Sequence, residues 1–268
     1  MKKTKIRAMG QHFLKDQPVL NKIIRSISPS KADLIIELGA GRGALTYPLT
    51  DKAGKVIAIE KDASLIRLLQ KKSSPNLTIL EEDILKVNFY ELIRTEQNFM
   101  GNVKIVGNLP YSLSSLLLFK VLREKEFLPE CIFLLQKEVA ERICAQPGTK
   151  RYAPLSILIQ IDFIARLHFI VKPDCFSPPP KVESALISLK KRPKPLFFIE
   201  EEGLFKKFLK GAFKHRRKIL RNNLEKFDLP APLINKAFHI FSIENNLRAE
   251  QLSISQFVSL FQFFFDEK

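Results

Sequence analysis

Asn108-Leu109-Pro110-Tyr111, at the end of an apolar run closing on Val106-Gly107, is the segment of this chain whose residue types most narrowly limit its chemistry. The Asn108 side-chain carbonyl and the Leu109 backbone carbonyl are hydrogen-bond acceptors, and Pro110 fixes the turn that would present them. Two acceptors so placed suit an exocyclic amine such as adenine N6. Its lone pair is delocalised into the ring, so the nitrogen attacks poorly until its N–H bonds are held by groups that favour a tetrahedral centre. Tyr111 would stack on the base once it had left its own stack. No strong general base is required, because a methylated nitrogen is cationic before its proton leaves. The plainer use of the same residues is an Asx-Pro turn with a packed tyrosine.

A second constellation lies upstream. Leu34–Leu38 runs into Gly39-Ala40-Gly41-Arg42-Gly43-Ala44, followed by the helical-looking 45–49 segment. Glycines at a strand-to-helix turn let the backbone approach a ligand closely, and the helix start behind them offers free N–H groups. The glycines leave the nucleotide open, since Gly39, Gly41 and Ala44 also satisfy the G-x-G-x-x-G/A dinucleotide pattern. Glu60 ends the next apolar run, where a carboxylate can accept from two ribose hydroxyls. Asp83 follows the third run and suits the edge of an adenine. Each acid alone could be solvated loop charge; together, in this order, they argue for an adenosine-bearing cofactor.

The elements that must position these residues follow from periodicity. Short β-type runs are expected at Leu34–Leu38, Lys55–Glu60, Leu77–Leu80, Lys104–Asn108, Ile132–Gln136, His168–Val171 and Ala185–Leu189. Between them, Ala63–Lys72, Tyr90–Glu96, Ser114–Arg123 and Lys137–Ala145 repeat apolar residues every three or four positions. Nearly continuous apolar strands separated by helices imply a doubly wound, mostly parallel α/β sheet covered on both faces. Asn108 would then stand at a strand's carboxyl end, where such folds bind ligands. The pattern changes at the linker Lys190–Pro195, and Gly203–Phe213, Arg216–Phe227, Leu233–Phe238 and Ser255–Phe264 read as helices. The expectation is a cofactor-binding catalytic domain over 1–190 and a small all-helical domain over 191–268.

With 268 residues and 46% apolar composition, the chain can bury a core without staples. The three cysteines lack zinc spacing and the four histidines lie far apart, so no structural metal is expected and the protein reads as reduced and cytoplasmic. The basic N-terminus lacks an apolar segment of the secretory kind, and no run approaches the ~20 residues of a membrane span. A net charge of +16 calls for a polyanionic partner, and nucleic acid is the commonest.

Six segments carry a more specific likeness: Gly10–Leu14, Glu37–Gly41, Asn108–Tyr111, Leu135–Val139, Phe176–Val182 and Ala212–Lys218. In this order, from about residue 5 to the C-terminus, they resemble the ribosomal RNA adenine dimethyltransferase family, and within it the KsgA-type branch acting on small-subunit rRNA. The resemblance implies a Rossmann-like class I methyltransferase fold with a helical C-terminal domain and S-adenosyl-L-methionine as cofactor. It carries cofactor contacts to His12, Leu14, Gly39, Glu60, Asp83 and Asn108, to which the glycine turn adds Gly41. Family members often have Asn where this chain has His12. It further implies that two adjacent adenosines near the 3′ end of the rRNA, in an immature 30S-type particle, each receive two methyl groups. The enzyme is expected to be monomeric.

For the RNA, thirteen Lys or Arg against four Glu lie between Lys190 and Lys226. Arg216, Arg217, Lys218 and Arg221 are the expected phosphate ligands, with Arg217 and Arg221 as uncompensated i,i+4 neighbours. Lys2, Lys3, Lys5 and Arg7 form a second basic cluster. Phe176 is a candidate to stack opposite Tyr111, with core packing as its rival. Three other readings are compatible with parts of the sequence: a methylase of large-subunit rRNA, a non-catalytic RNA-binding assembly factor, and a dinucleotide dehydrogenase.

Overall fold

A computed structural model describes residues 11–72, 74–96, 101–227 and 229–265. The cluster Lys2, Lys3, Lys5 and Arg7 lies outside them. The chain divides into two compact units, residues 1–140 with 164–191, and residues 141–163 with 192–268. The expected division at 190/191 differs from this in the segment 141–163 and in Lys191. Residues 141–163 belong with the helical unit because Tyr152, Ile157 and Ile161 share a core with Phe205, Phe208 and Phe261.

The first unit opens with the two-residue strand β1 (Phe13–Leu14) and helix α1 (Gln17–Ile27). The Asp16 carboxylate caps α1 by accepting from the Val19 N–H at 2.9 Å. Strands and helices then alternate: β2 (Asp33–Leu38), α2 (Thr46–Lys52), β3 (Lys55–Glu60), α3 (Ala63–Leu69), β4 (Leu77–Glu81), α4 (Phe89–Thr95), β5 (Asn102–Asn108), α5 (Ser114–Arg123), β6 (Glu130–Gln136) and α6 (Lys137–Ile143). Helix α7 (Pro154–Asp162) leads into β7 (Phe163–Val171), the short β8 (Phe176–Ser177) and β9 (Ser184–Lys191).

All seven expected strands form, and they make one sheet in the order β4-β3-β2-β5-β6-β9-β7. β4, β3, β2, β5 and β6 are parallel, and β9 joins antiparallel to β6. β2 is buried along its whole length, as a central strand covered on both faces must be. Ile35 of β2 shares one core with Ile24 of α1, Leu49 of α2, Val106 of β5 and Ile132 of β6. β1 pairs antiparallel with β8 outside this sheet.

The second unit holds α7, α8 (Glu202–Ala212), α9 (Leu220–Glu225), α10 (Ala231–Ile240) and α11 (Ile254–Phe265). Phe205, Phe208, Leu209 and Ala212 recur at helical spacing on α8 and are buried. Phe208 meets Phe261 at 5.8 Å and Phe265 at 6.0 Å between ring centroids. Phenylalanine thus fills this core largely by edge-on and tilted contacts.

Candidate active site

Parallel register sets the site. Because β2, β3, β4 and β5 run in the same direction, their carboxyl ends fall along one edge of the sheet. Gly39 follows β2, Glu60 ends β3, Asp83 lies just past β4 and Asn108 ends β5. A cavity of about 220 Å³ opens there, and its wall includes His12, Leu14, Gly39, Gly41, Glu60, Asp83, Asn108, Leu109, Pro110 and Tyr111. Every expected cofactor residue and four of the five expected catalytic residues therefore meet in one place.

The glycine turn depends on its residue type. Gly39 and Gly41 have φ of 75° and 59°, and a Cβ on Gly39 would meet no atom within 4 Å. Close behind, Glu60 is 5% exposed and its carboxylate accepts from three backbone N–H groups: Gly41 at 2.9 Å, Lys61 at 2.9 Å and Asp62 at 3.0 Å. These bonds fix the carboxylate beside the turn. Asp83 accepts from the Leu85 N–H at 3.0 Å, which holds its carboxyl below the usual range, and Lys61 at 3.4 Å adds to the effect.

At the other end of the cavity, the Asn108 Nδ2 donates to the His12 backbone carbonyl at 2.9 Å. A carbonyl can only accept, so this bond orients the amide and leaves Oδ1 as the free acceptor. The Leu109 N–H donates to the Leu134 carbonyl at 3.1 Å, tying the turn to β6. Gly107 is needed by close approach: a Cβ there would stand 2.6 Å from the Leu38 carbonyl oxygen. The His12 ring lies 5.4 Å from that of Tyr111, and its Nδ1 donates to the Pro178 carbonyl at 2.7 Å. Burial raises the Tyr111 phenol above its ordinary value.

Glu37 is a cavity residue to which the sequence pattern assigned no role. It is 2% exposed, accepts from the Thr46 hydroxyl at 2.6 Å, and burial pushes its pKa up to about 8. The signal was present, since one acid interrupts the otherwise apolar Leu34–Leu38. Arg42 covers the Phe13 ring at 4.6 Å on the same wall.

Three expectations need correction. Phe176 is 1% exposed and packed in the core with Leu14 and Ile24, so its ring has no free face for a base. Arg216 and Arg221 are engaged within the second unit. The Arg216 Nη2 donates to the carbonyls of Lys150 at 2.6 Å and Tyr152 at 3.1 Å and to Glu250 at 2.9 Å. Arg221 pairs with Glu225 at 3.0 Å, one helical turn on, so that face does carry a compensating acid. Helix α9 begins only at Leu220, which leaves Arg217 and Lys218 in the preceding turn, both exposed.

Among the described residues, no group of three or more His, Cys, Asp or Glu is placed to hold a metal ion. No helix among them is long and apolar enough to cross a membrane.

Residues 2–266 match the family model described as ribosomal RNA adenine dimethylase. A ribosomal RNA small subunit methyltransferase A from Clostridium acetobutylicum is 40% identical over 256 residues, covering 95% of this chain and 91% of its own. The protein of that description from Nitrosospira multiformis is 38% identical over 265 residues, covering 98% of both chains. Among solved structures, a dimethyladenosine transferase from Plasmodium falciparum superimposes with a TM-score of 0.76 at 25% identity, over 94% of this chain and 97% of that one. The 23S rRNA methyltransferase ErmE shares the fold, with a TM-score of 0.72 at 22% identity over 94% of this chain and 98% of that one.

Proposed function

Because the chain belongs to the ribosomal RNA adenine dimethylase family, we propose that it methylates the N6 amines of two adjacent adenosines near the 3′ end of small-subunit rRNA. The observation that carries this reading is the Asn108 amide, turned by the His12 carbonyl so that Oδ1 is free at the cavity wall. The substrate is the rRNA within an immature small subunit, met in the cytoplasm. One chain supplies every group the step uses, so a monomer suffices.

S-adenosyl-L-methionine, when bound, supplies a methyl group made electrophilic by a sulfonium. The residues present fit its adenosine portion. The space before Gly39 is open, the fixed Glu60 carboxylate can accept from ribose hydroxyls, and Asp83 stays ionised as an acceptor for an adenine amine. Leu14 and Ile84 offer apolar surface on the same wall.

For the target base, Asn108 Oδ1 and the Leu109 carbonyl accept from the two N6 hydrogens. Holding both N–H bonds draws the nitrogen towards tetrahedral geometry and frees its lone pair for attack, so rate comes from positioning and from dipoles already in place. The Tyr111 ring holds the base by stacking. After transfer the acceptors hold the cationic N–H until the proton passes to water, and a second methyl can follow on the same nitrogen.

The test offers both purified ribosomal subunits from cells lacking the modification, with labelled methyl donor. Label in small-subunit adenosine is the expected outcome. Label confined to the large subunit would overturn the target, and absence of label from either would overturn the activity.

A further inference from the structure

Tyr111 is the one group in the proposed step whose action depends wholly on where an aromatic ring points. Its backbone leaves β5 through Pro110, and only two side-chain torsions then set the ring plane. Two contacts restrict them. One is the His12 ring at 5.4 Å, a weak, tilted contact. The other is at the far end, where the Tyr111 and Ser184 hydroxyls lie 2.6 Å apart and are hydrogen-bonded.

Ser184 is built to be an anchor. It is fully buried, at 0% exposure, and opens β9 opposite Gln136 in the register with β6. Its neighbour Glu183 is tied through both backbone and side chain: its carbonyl accepts from the Lys137 N–H at 2.9 Å and its carboxylate pairs with the Lys137 ammonium at 2.7 Å. The serine hydroxyl therefore stands on a strand tied to β6 and to the start of α6, at the end of the ring furthest from the turn that carries it. A buried serine hydroxyl with only apolar neighbours would cost stability, so the pair satisfies both groups while fixing the ring.

Resting on the reading of Tyr111 as the base-stacking residue, we propose that Ser184 is a positioning residue for methyl transfer, holding the Tyr111 ring in the plane that receives the target adenine. The tyrosine hydroxyl is then a tether and takes no part in moving the proton. A ring freed at its far end still binds RNA in most of its orientations but presents the base correctly in few, so the loss falls on kcat and spares cofactor affinity.

The experiment measures kcat, KM for small subunits and the equilibrium affinity for S-adenosylhomocysteine in Ser184→Ala, Tyr111→Phe, the double variant and Ser184→Thr. Expected are drops in kcat of about tenfold in both single variants, no further drop in the double variant, unchanged cofactor affinity, and recovery in Ser184→Thr, which keeps the hydroxyl. An unchanged kcat in Ser184→Ala overturns the proposal. So does a double variant whose loss is the product of the single ones, because the hydroxyls would then act separately. A Ser184→Ala protein that unfolds or loses cofactor affinity while Tyr111→Phe is fully active also overturns it, since the serine would serve only the fold. Failure of the unaltered protein to methylate the small subunit strikes the underlying reading instead, so the two failures are distinct.

Discussion

Asn108 is held by a hydrogen bond from its Nδ2 that leaves Oδ1 as acceptor, and the proposed chemistry turns on that orientation. Asn108→Ala removes the acceptor without touching Glu60 or the glycine turn. Methyl transfer is expected to fall by at least about a hundredfold, on the scale of losing a preorganised acceptor or donor, while isothermal titration finds cofactor affinity little changed. Glu37 makes a prediction of a different kind. Its carboxyl is raised from 4.5 to about 8 by burial, so between those values the folded state binds a proton that the unfolded state has released. The protonated form's contribution is fully present below pH 4.5 and is lost as pH rises through 8, with a slope approaching about 1.4 kcal/mol per pH unit. Glu37→Gln keeps an acceptor for the Thr46 hydroxyl and removes the titration. Thermal melts from pH 5 to 8 should therefore show a fall in Tm in the parent that is flatter in the variant; parallel curves would contradict a proton on Glu37.

At the scale of elements, the site is made by four strand ends brought level, and Gly107 shows how little room that leaves. A Cβ there would stand 2.6 Å from the Leu38 carbonyl oxygen, so Gly107→Ala must push β5 from β2 just where Asn108 is presented. Activity is expected to fall at least about tenfold, as small misplacements of reacting groups do, in a protein whose circular dichroism remains that of the parent. The strands of the central sheet were legible in the sequence because parallel, doubly covered strands are apolar throughout, and their order of acids and glycines is a local pattern. Helix α1 was missed although Leu20, Ile23, Ile24 and Ile27 recur at helical spacing and the Asp16 cap with Pro18 behind it marks its start. The pair β1 and β8 was missed because two residues carry no period, although this pairing is what brings His12 to the cavity. Phe176 could not be assigned from sequence at all, since a ring suited to stacking is equally suited to a core, and burial alone separates the two.

Within the second unit, some cations are engaged by the fold and others are left exposed. Arg216 joins the 150–152 turn to Glu250, whereas Arg217 and Lys218 lie exposed beside it. Three adjacent cations identical in a sequence count thus have different surroundings. Arg216→Ala should lower stability by about 1–2 kcal/mol in denaturant titrations and leave the salt dependence of RNA binding unaltered. Neutralising Arg217 and Lys218 should do the reverse, reducing the slope of log affinity against log salt by about 1 for each phosphate that is no longer neutralised; an unchanged slope would return both to an ordinary solvated surface. In the proposed function the excess of cations accounts for attraction to RNA, and the geometry at the end of β5 accounts for which atom is changed. That claim is tested most directly by mass analysis of nucleosides from unmodified small subunits incubated with the protein and S-adenosyl-L-methionine. N6,N6-dimethyladenosine at two neighbouring positions near the rRNA 3′ end is the predicted product, and methylation on a ribose, on a ring nitrogen or on a base other than adenine would contradict it.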